Sequence, residues 1–334
     1  MHSPRDPLSV AILGFWHVHA ADYARSIQAH PDTRLSAVWD PDVERGGAAA
    51  AQLGVEFVED LDALLARADI DAVVVTTATG SHHEVLTQAA SARKHIFSEK
   101  LLAPTVAQAE DVLAEAAENG VVVVVSLPRL YEGTTVAITQ LIGEGALGEL
   151  SYARVRLAHD GWIRNWLPER FADRRKAIGG AFSDLGCHPA YLTQLFLGAA
   201  PSTVSASYAA FSGRPVEDNA VVTLTYPNGA IGVAEASFVT TPGAFTLELR
   251  GTRGSVLYGF GSEKLLGKGE HFGSDGWREL PVPGGQATPF ERWVDHIRSN
   301  TIADENLAAA VELTRLVVAA NESAERGAAV EYRR

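Results

Sequence analysis

The sequence predicts an α/β protein: an N-terminal doubly wound parallel sheet followed by a C-terminal α+β domain with an open, mostly antiparallel sheet. Three observations carry this. The first third alternates short apolar runs with helical patterns, and runs buried on both faces between helices belong to parallel sheets with right-handed crossovers. After residue 126 the apolar runs give way to strands of alternating polarity joined by tight turns. At 334 residues the chain exceeds one typical core, so two domains are expected: 1–126, and 127–334 with its last helices able to pack back on the first.

In order, Leu8–Leu13 reads as a buried strand and 17–29 as a helix. Leu35–Trp39 is a strand ending at Asp40, followed by an alanine-rich helix over 42–53, a short strand at Glu56–Val58 and a short helix at Leu61–Arg67. Ala72–Thr77 is a β-branched run, then a helix runs from His82 to about 92. His95–Ser98 is a strand leading into Glu99-Lys100, and a helix over 105–119 closes at Gly120. Val121–Val125 is an unbroken run of valine. A helix over 130–142 opens the second domain. Alternating strands follow at Ser151–Leu157, Thr203–Phe211, Ala220–Tyr226, Ala230–Phe238, Thr246–Arg250 and Ser255–Tyr258. Pro227-Asn228-Gly229 and Gly251-Thr252-Arg253-Gly254 are hairpin turns. A helix over 179–197 interrupts the strands, and helices over 288–299 and 304–325 close the chain.

The formal charge of −13 disfavours nucleic acid and anionic membranes as main partners, since both reward a basic surface. The single cysteine, Cys187, permits no internal disulfide and fits a reducing compartment. No apolar run approaches the ~20 residues that span a bilayer, and the N-terminus has no apolar signal core. The expectation is a soluble cytoplasmic protein.

A doubly wound sheet binds ligands at the carboxyl ends of its strands, so the residues just after strands are the ones to interrogate. Leu13-Gly14-Phe15-Trp16-His17-Val18-His19 occupies the place of a phosphate-binding glycine loop, yet only Gly14 of three glycines is present. Trp16 and His19 hold the other two places. The helix start still offers amides to an anion, and His17 or His19 adds a donor. Asp40, at the end of the next strand, is placed to take the adenosine ribose hydroxyls, favouring NAD and disfavouring NADP. Asp40-Pro41-Asp42 also reads as a plain turn and helix cap. Thr77, His82, Glu99 and Lys100 follow the next strands. His82 lines the cofactor cleft or begins a solvated helix, and the Lys100 ammonium suits a substrate alkoxide.

Asp184 and His188 are four apart on one expected helix and share a face. The imidazole suits proton removal from a hydroxyl, and the carboxylate suits orienting it or binding a second hydroxyl; from spacing alone an ordinary i,i+4 ion pair is the better reading. Cys187 lies about 100° round that helix from His188, which weakens a metal site there, and no metal is assigned. Between 159 and 176, His159, Trp162, Arg164 and Lys176 interleave aromatic faces with donors, which suits a polyol or an anionic sugar. On its own the segment reads better as a solvated or subunit-facing loop.

Together these pieces resemble the glucose–fructose oxidoreductase/inositol dehydrogenase (Gfo/Idh/MocA) family over nearly the whole length. The segments that carry the resemblance are Thr77-Ala78-Thr79-Gly80-Ser81-His82, Lys94 to Leu101, Gly145-Ala146-Leu147-Gly148 and Gly179 to His188. The resemblance implies a Rossmann domain binding a nicotinamide cofactor at Gly14, Phe15, Trp16, His17, Asp40, Thr77, His82, Glu99 and Lys100. It implies a sugar or cyclitol substrate, and a homodimer or homotetramer formed through the C-terminal sheet. It places Lys100, Asp184 and His188 as the catalytic group: His188 accepts the hydroxyl proton, Lys100 holds that hydroxyl, and Asp184 binds a neighbouring hydroxyl or orients His188. The departures are Leu101 in the place of a proline, Ile178 in the place of a glycine, and the opening stretch. Two alternatives stay open. One is an NAD-retaining lyase or glycoside-cleaving enzyme working by transient oxidation, with His159 or Tyr131 as second base. The other is a non-catalytic sugar or nucleotide sensor.

Overall fold

The computed structural model describes residues 6–333. The chain divides into two units: one takes the chain up to Ser126 together with Ala287–Val311, the other takes Leu127–Gln286 and Glu312 onward.

The first unit alternates β1 (Leu8–Leu13), α1 (Ala20–Ala29), β2 (Thr33–Trp39), α2 (Val43–Leu53), β3 (Glu56–Phe57), α3 (Leu61–Leu65), β4 (Ala72–Val75), α4 (His82–Ser91), β5 (His95–Ser98), α5 (Val106–Glu118) and β6 (Val123–Val125). All pairings are parallel, in the order β3-β2-β1-β4-β5-β6. β1 and β4 are buried at every position, as their predominantly apolar sequences suit a sheet covered on both faces. Asp42, Asp60 and Thr105 cap α2, α3 and α5 by accepting a backbone N–H three residues on. The order reverses between β1 and β4, which puts the ligand-binding crevice of such a sheet at Gly14 and Thr77. Phe97 on β5 packs edge-on against Phe290, 5.7 Å between centroids, and tilted against Trp293 at 5.8 Å. Part of this core is therefore supplied from the far end of the chain. Asn306 completes the edge of β6: its side chain accepts from Val125 N at 2.8 Å and donates to Val125 O at 2.9 Å.

The second unit contains α6 (Gly133–Gly143), β7 (Leu150–Ala158), α7 (Arg174–Ala177), α8 (Ala181–Asp184), α9 (Cys187–Leu197), β8 (Thr203–Ala209), β9 (Asn219–Thr225), β10 (Ile231–Ser237), β11 (Ala244–Gly251), β12 (Gly254–Tyr258), β13 (Leu265–Gly269) and β14 (Gly273–Glu279). The closing helices are α10 (Pro289–Ser299), in the first unit, and α11 (Asp304–Arg326), which passes from the first unit into the second and leads to β15 (Val330–Glu331). The sheet runs β14-β13-β12-β11-β7-β10-β9-β8-β15, antiparallel except for the β7–β10 pair. α9 lies on one face, where Gly232 leaves room: a Cβ there would stand 2.6 Å from the Thr193 methyl. The other face carries the Arg154–Glu235 pair, bonded at 2.9 and 3.0 Å, with Val221 and Ile231 exposed.

Three expectations change. The helix expected from residue 17 begins at Ala20, because 17–19 form a turn tied down by His17 N donating to Thr76 O at 3.1 Å. The helix expected over 179–197 is two helices. Gly186 N reaches back five residues to Ala181 O at 2.8 Å, a widened turn that breaks the regular ladder. Strands β13 and β14 were not expected.

Candidate active site

The turn after β1 is built around Gly14. It holds φ +92, and a Cβ there would lie 2.7–2.8 Å from Thr77, so only glycine fits. Phe15 N donates to Asp40 Oδ2 at 2.6 Å. Trp16 is 6% exposed and turned into the interior. No side chain caps the start of α1, whose Ala20 and Asp22 amides donate to His17 O at 3.3 Å and His19 O at 2.9 Å. Thr77 is buried, and its hydroxyl has no hydrogen-bond partner among the described residues. A close-approach glycine and an orphaned hydroxyl at the switch point fit a dinucleotide diphosphate.

Asp40 departs from the expected picture of an open ribose acceptor. It is 1% exposed, and both oxygens are engaged. Oδ1 accepts from Asp42 N at 2.8 Å and Arg45 Nη2 at 2.6 Å; Oδ2 accepts from Phe15 N and from Arg45 Nε at 2.8 Å. Arg45 also reaches Asp42 at 3.2 Å. Two carboxylates thus surround one guanidinium and leave the end of β2 net negative.

His82 also departs from expectation. It is fully buried, with Nδ1 2.6 Å from Leu101 O and Nε2 3.2 Å from Thr77 O. It clamps the segments after β4 and β5 together instead of lining a cleft, and burial pushes its imidazole below the usual value. The Lys100–Leu101 peptide is cis, Lys100 is 3% exposed, and its N–H donates to Glu99 Oε2 at 2.9 Å. Glu99 Oε1 receives Tyr23 Oη at 2.5 Å and lies 2.8 Å from His19 Nδ1 and 3.7 Å from His17 Nδ1. Burial alone would raise the Glu99 carboxyl, but His17, His19 and Lys100 together hold it well below the usual range.

In the second unit, His188 is buried and its Nδ1 lies 2.8 Å from Tyr191 Oη, which accepts Arg129 N at 3.1 Å. Asp184 closes α8 and is partly buried. The loop before α8 is fastened by Glu217, whose Oε1 accepts from Gly180 N at 2.8 Å and Phe182 N at 3.1 Å, while its carbonyl accepts Ala181 N at 2.8 Å. Burial raises the Glu217 carboxyl above the usual value. Ile178 holds φ +57, a left-handed conformation costly for a β-branched residue and free for glycine. Neither Glu217 nor Tyr191 was singled out from the sequence, because neither lies in a recognisable spacing with Asp184 or His188.

The 159–176 loop divides. His159 stacks on Phe238 at 5.0 Å and 10°, and burial lowers its imidazole against the pull of Asp184. Trp162 is 4% exposed and lies under the Arg214 guanidinium at 4.7 Å, a packing role that departs from the expected substrate face. Arg164 and Lys176 are largely exposed, Arg164 on Asp160 at 2.7 Å and Lys176 3.9 Å from Asp173.

Comparison with known proteins agrees with this organisation. Residues 8–127 match the oxidoreductase family with an NAD-binding Rossmann fold, and 135–257 match the GFO/IDH/MocA C-terminal domain. The dTDP-3,4-didehydro-2,6-dideoxy-alpha-D-glucose 3-reductase of Streptomyces antibioticus is 31% identical over 71% of this chain and 70% of its own length. The scyllo-inositol 2-dehydrogenase (NAD(+)) of Bacillus subtilis is 28% identical over 75% of this chain and 72% of its own. The crystal structure of GenD2 from gentamicin A biosynthesis in complex with NAD superposes with a TM-score of 0.84 at 26% identity, covering all of both chains. The chain belongs to the GFO/IDH/MocA family of NAD-binding oxidoreductases.

Proposed function

We propose that the protein is an NAD-dependent dehydrogenase acting on a secondary hydroxyl, or the matching ketone, of a sugar, sugar acid or cyclitol. The observation that carries this is His188: buried, held at Nδ1 by Tyr191, and following Asp184 in a segment fastened by Glu217. For Nε2 to take a proton, Nδ1 must carry hydrogen and donate to Tyr191 Oη. A hydroxyl oxygen has room for that bond beside the one from Arg129 N. When bound, NAD takes up hydride from the carbon whose hydroxyl is deprotonated. The turn at Gly14 and the Thr77 hydroxyl would hold its diphosphate, while the Phe15 N–H is spent on Asp40. The net negative end of β2, with Asp40 and Asp42 around Arg45, disfavours the extra phosphate of NADP. Lys100 would hold the reacting hydroxyl, and Asp184 a neighbouring one. His159, Arg164 and Lys176 are the polar groups of the loop left to contact substrate.

One observation favours a second reading. Burial keeps the His159 imidazole below its usual value against the opposing pull of Asp184, and a neutral imidazole beside a carboxylate suits a second base for elimination after transient oxidation. Titration of nucleotide-free protein with NAD and NADP, followed by a screen of polyols and sugar acids for NADH formation, tests the first reading. NAD that co-purifies and does not exchange, with turnover lacking net NADH, selects the second. Failure to bind either nucleotide overturns both and leaves the sensor. We further infer self-association through the outer face of the second sheet, where Val221 and Ile231 flank the Arg154–Glu235 pair. Cytoplasmic residence rests on the lone buried thiol and the acidic charge; no described helix is long and apolar enough to cross a membrane.

A further inference from the structure

We propose that His17, His19 and Glu99 form a binding site for one divalent transition-metal cation at the turn that follows β1. Glu99 is 80 residues from His19 in sequence, and the fold brings one ligand atom of each of the three groups within 4.8 Å of the others. Imidazole nitrogen and carboxylate oxygen bound at the usual lengths to one tetrahedral ion stand roughly 3.4 Å apart. The observed separations from Glu99 Oε1, 2.8 Å for His19 Nδ1 and 3.7 Å for His17 Nδ1, bracket that value.

The surroundings are those of a built site. His17 is 5% and Glu99 1% exposed, while the His19 side chain is 40% exposed. The set is closed on the protein side and open on the other, which leaves a coordination position for water or a ligand, as three-ligand sites do. The ligands are oriented by outer partners: Lys100 N on Glu99 Oε2, Tyr23 Oη on Glu99 Oε1, Ser126 Oγ 2.8 Å from Tyr23 Oη, and Thr76 O receiving His17 N. Such partners keep ligand geometry fixed. An incoming ion would replace the His19–Glu99 hydrogen bond and the long 3.3 Å contact from His19 N to His17 Nδ1, and it would release whatever protons the imidazoles carry. Two imidazoles and one carboxylate select zinc, cobalt or nickel over magnesium or calcium. If the cofactor reading above holds, the ion lies beside the diphosphate and supplies positive charge where two loop glycines are missing; the site itself does not depend on that reading.

The test uses untagged, chelator-stripped full-length protein, with Co2+ as a visible-absorption probe and Zn2+ in calorimetry. Expected are one ion per chain, the intense visible bands of four- or five-coordinate cobalt, and displacement of cobalt by zinc. His19→Ala, on the exposed ligand, should keep the native circular dichroism and weaken binding at least about 100-fold, since outer partners alone are worth 10–100-fold. Glu99→Gln should do the same. Substoichiometric uptake, or undiminished binding in a folded His19→Ala, overturns the site. NAD titration of the metal-free and zinc-loaded protein separates the two ideas. Cobalt binding without NAD binding sinks only the cofactor reading; NAD binding without cobalt uptake sinks only the metal.

Discussion

Each unit buries a glutamate beside its chemistry-bearing segment, and the two are solvated in opposite ways. Glu99 sits among His17, His19, Lys100 and a tyrosine hydroxyl, and is held well below the usual carboxyl range. Glu217 faces the amides of Gly180 and Phe182, with the charge of Arg174 only a minor influence, and burial wins, raising it. The difference separates two uses of a buried acid. One is the anion of a charged cluster that can take part in binding. The other is a fastener for a backbone turn, which works whether or not it is ionised.

The largest effect expected lies on the chemistry that the Glu217 turn supports. His188→Ala should lower hydride transfer by about 10²–10⁴-fold, the usual worth of a positioned base, with NAD affinity unchanged; equal loss of both in rate and binding assays would make His188 structural. Glu99→Gln should cost about 2–3 kcal/mol in urea unfolding, because the bonds from Tyr23 Oη, Lys100 N and the His19 ring lose their buried carboxylate acceptor. A cost near zero would erase the contrast between the two acids. Glu217→Ala should cost roughly 2 kcal/mol, since two amides lose their acceptor, while Glu217→Gln keeps an oxygen and should stay within about 0.5–1 kcal/mol of wild type.

The pH dependence sharpens this. Because the folded state raises the Glu217 carboxyl, it binds that proton more tightly than the unfolded chain does. Its stabilising share is full below the usual carboxylate range and fades as pH rises through the raised value. Thermal melts should therefore show a wild-type loss on going from acid toward neutrality that Glu217→Gln lacks. Tyr191→Phe should reduce kcat about tenfold and move the pH profile by freeing the tautomer of His188, as expected for one lost hydrogen bond. Smallest, Ile178→Gly should stabilise by about 1 kcal/mol by relieving a left-handed β-branched residue; destabilisation would mean that the isoleucine side chain packs well enough to outweigh its backbone.

Local signals account for most of the architecture. Leu8–Leu13 and His95–Ser98 were legible to the residue because apolar runs bounded by turn residues leave no other reading. β13 and β14 were not, because Gly267, Gly269, Gly273 and Gly276 interrupt the alternation that marks a strand. The break at Gly186 was hidden for a different reason: glycine inside a helical pattern is tolerated, and only its closeness to Phe182, 2.7 Å from an added Cβ to that Cα, shows why none other fits. At the site, the residues after strands were found by topology alone. What they do there was not. Asp40 and His82 spend their polar atoms on the chain itself, and the gathering of His17 and His19 on Glu99 depends on two strand ends that no spacing rule connects.

Asn306 also bears on how the chain can be cut. By matching both hydrogen-bonding groups of Val125, its amide acts as a one-residue neighbouring strand and closes the last edge of the parallel sheet. An open edge of valines is a template for foreign strands. A fragment ending at Ser126 would lose that closure together with Phe290 and Trp293 from its core, and would be prone to aggregate. The nucleotide-binding unit of this protein is thus contiguous in space but not in sequence, and a segment synthesised long after Ser126 is the part that makes the first part safe in solution.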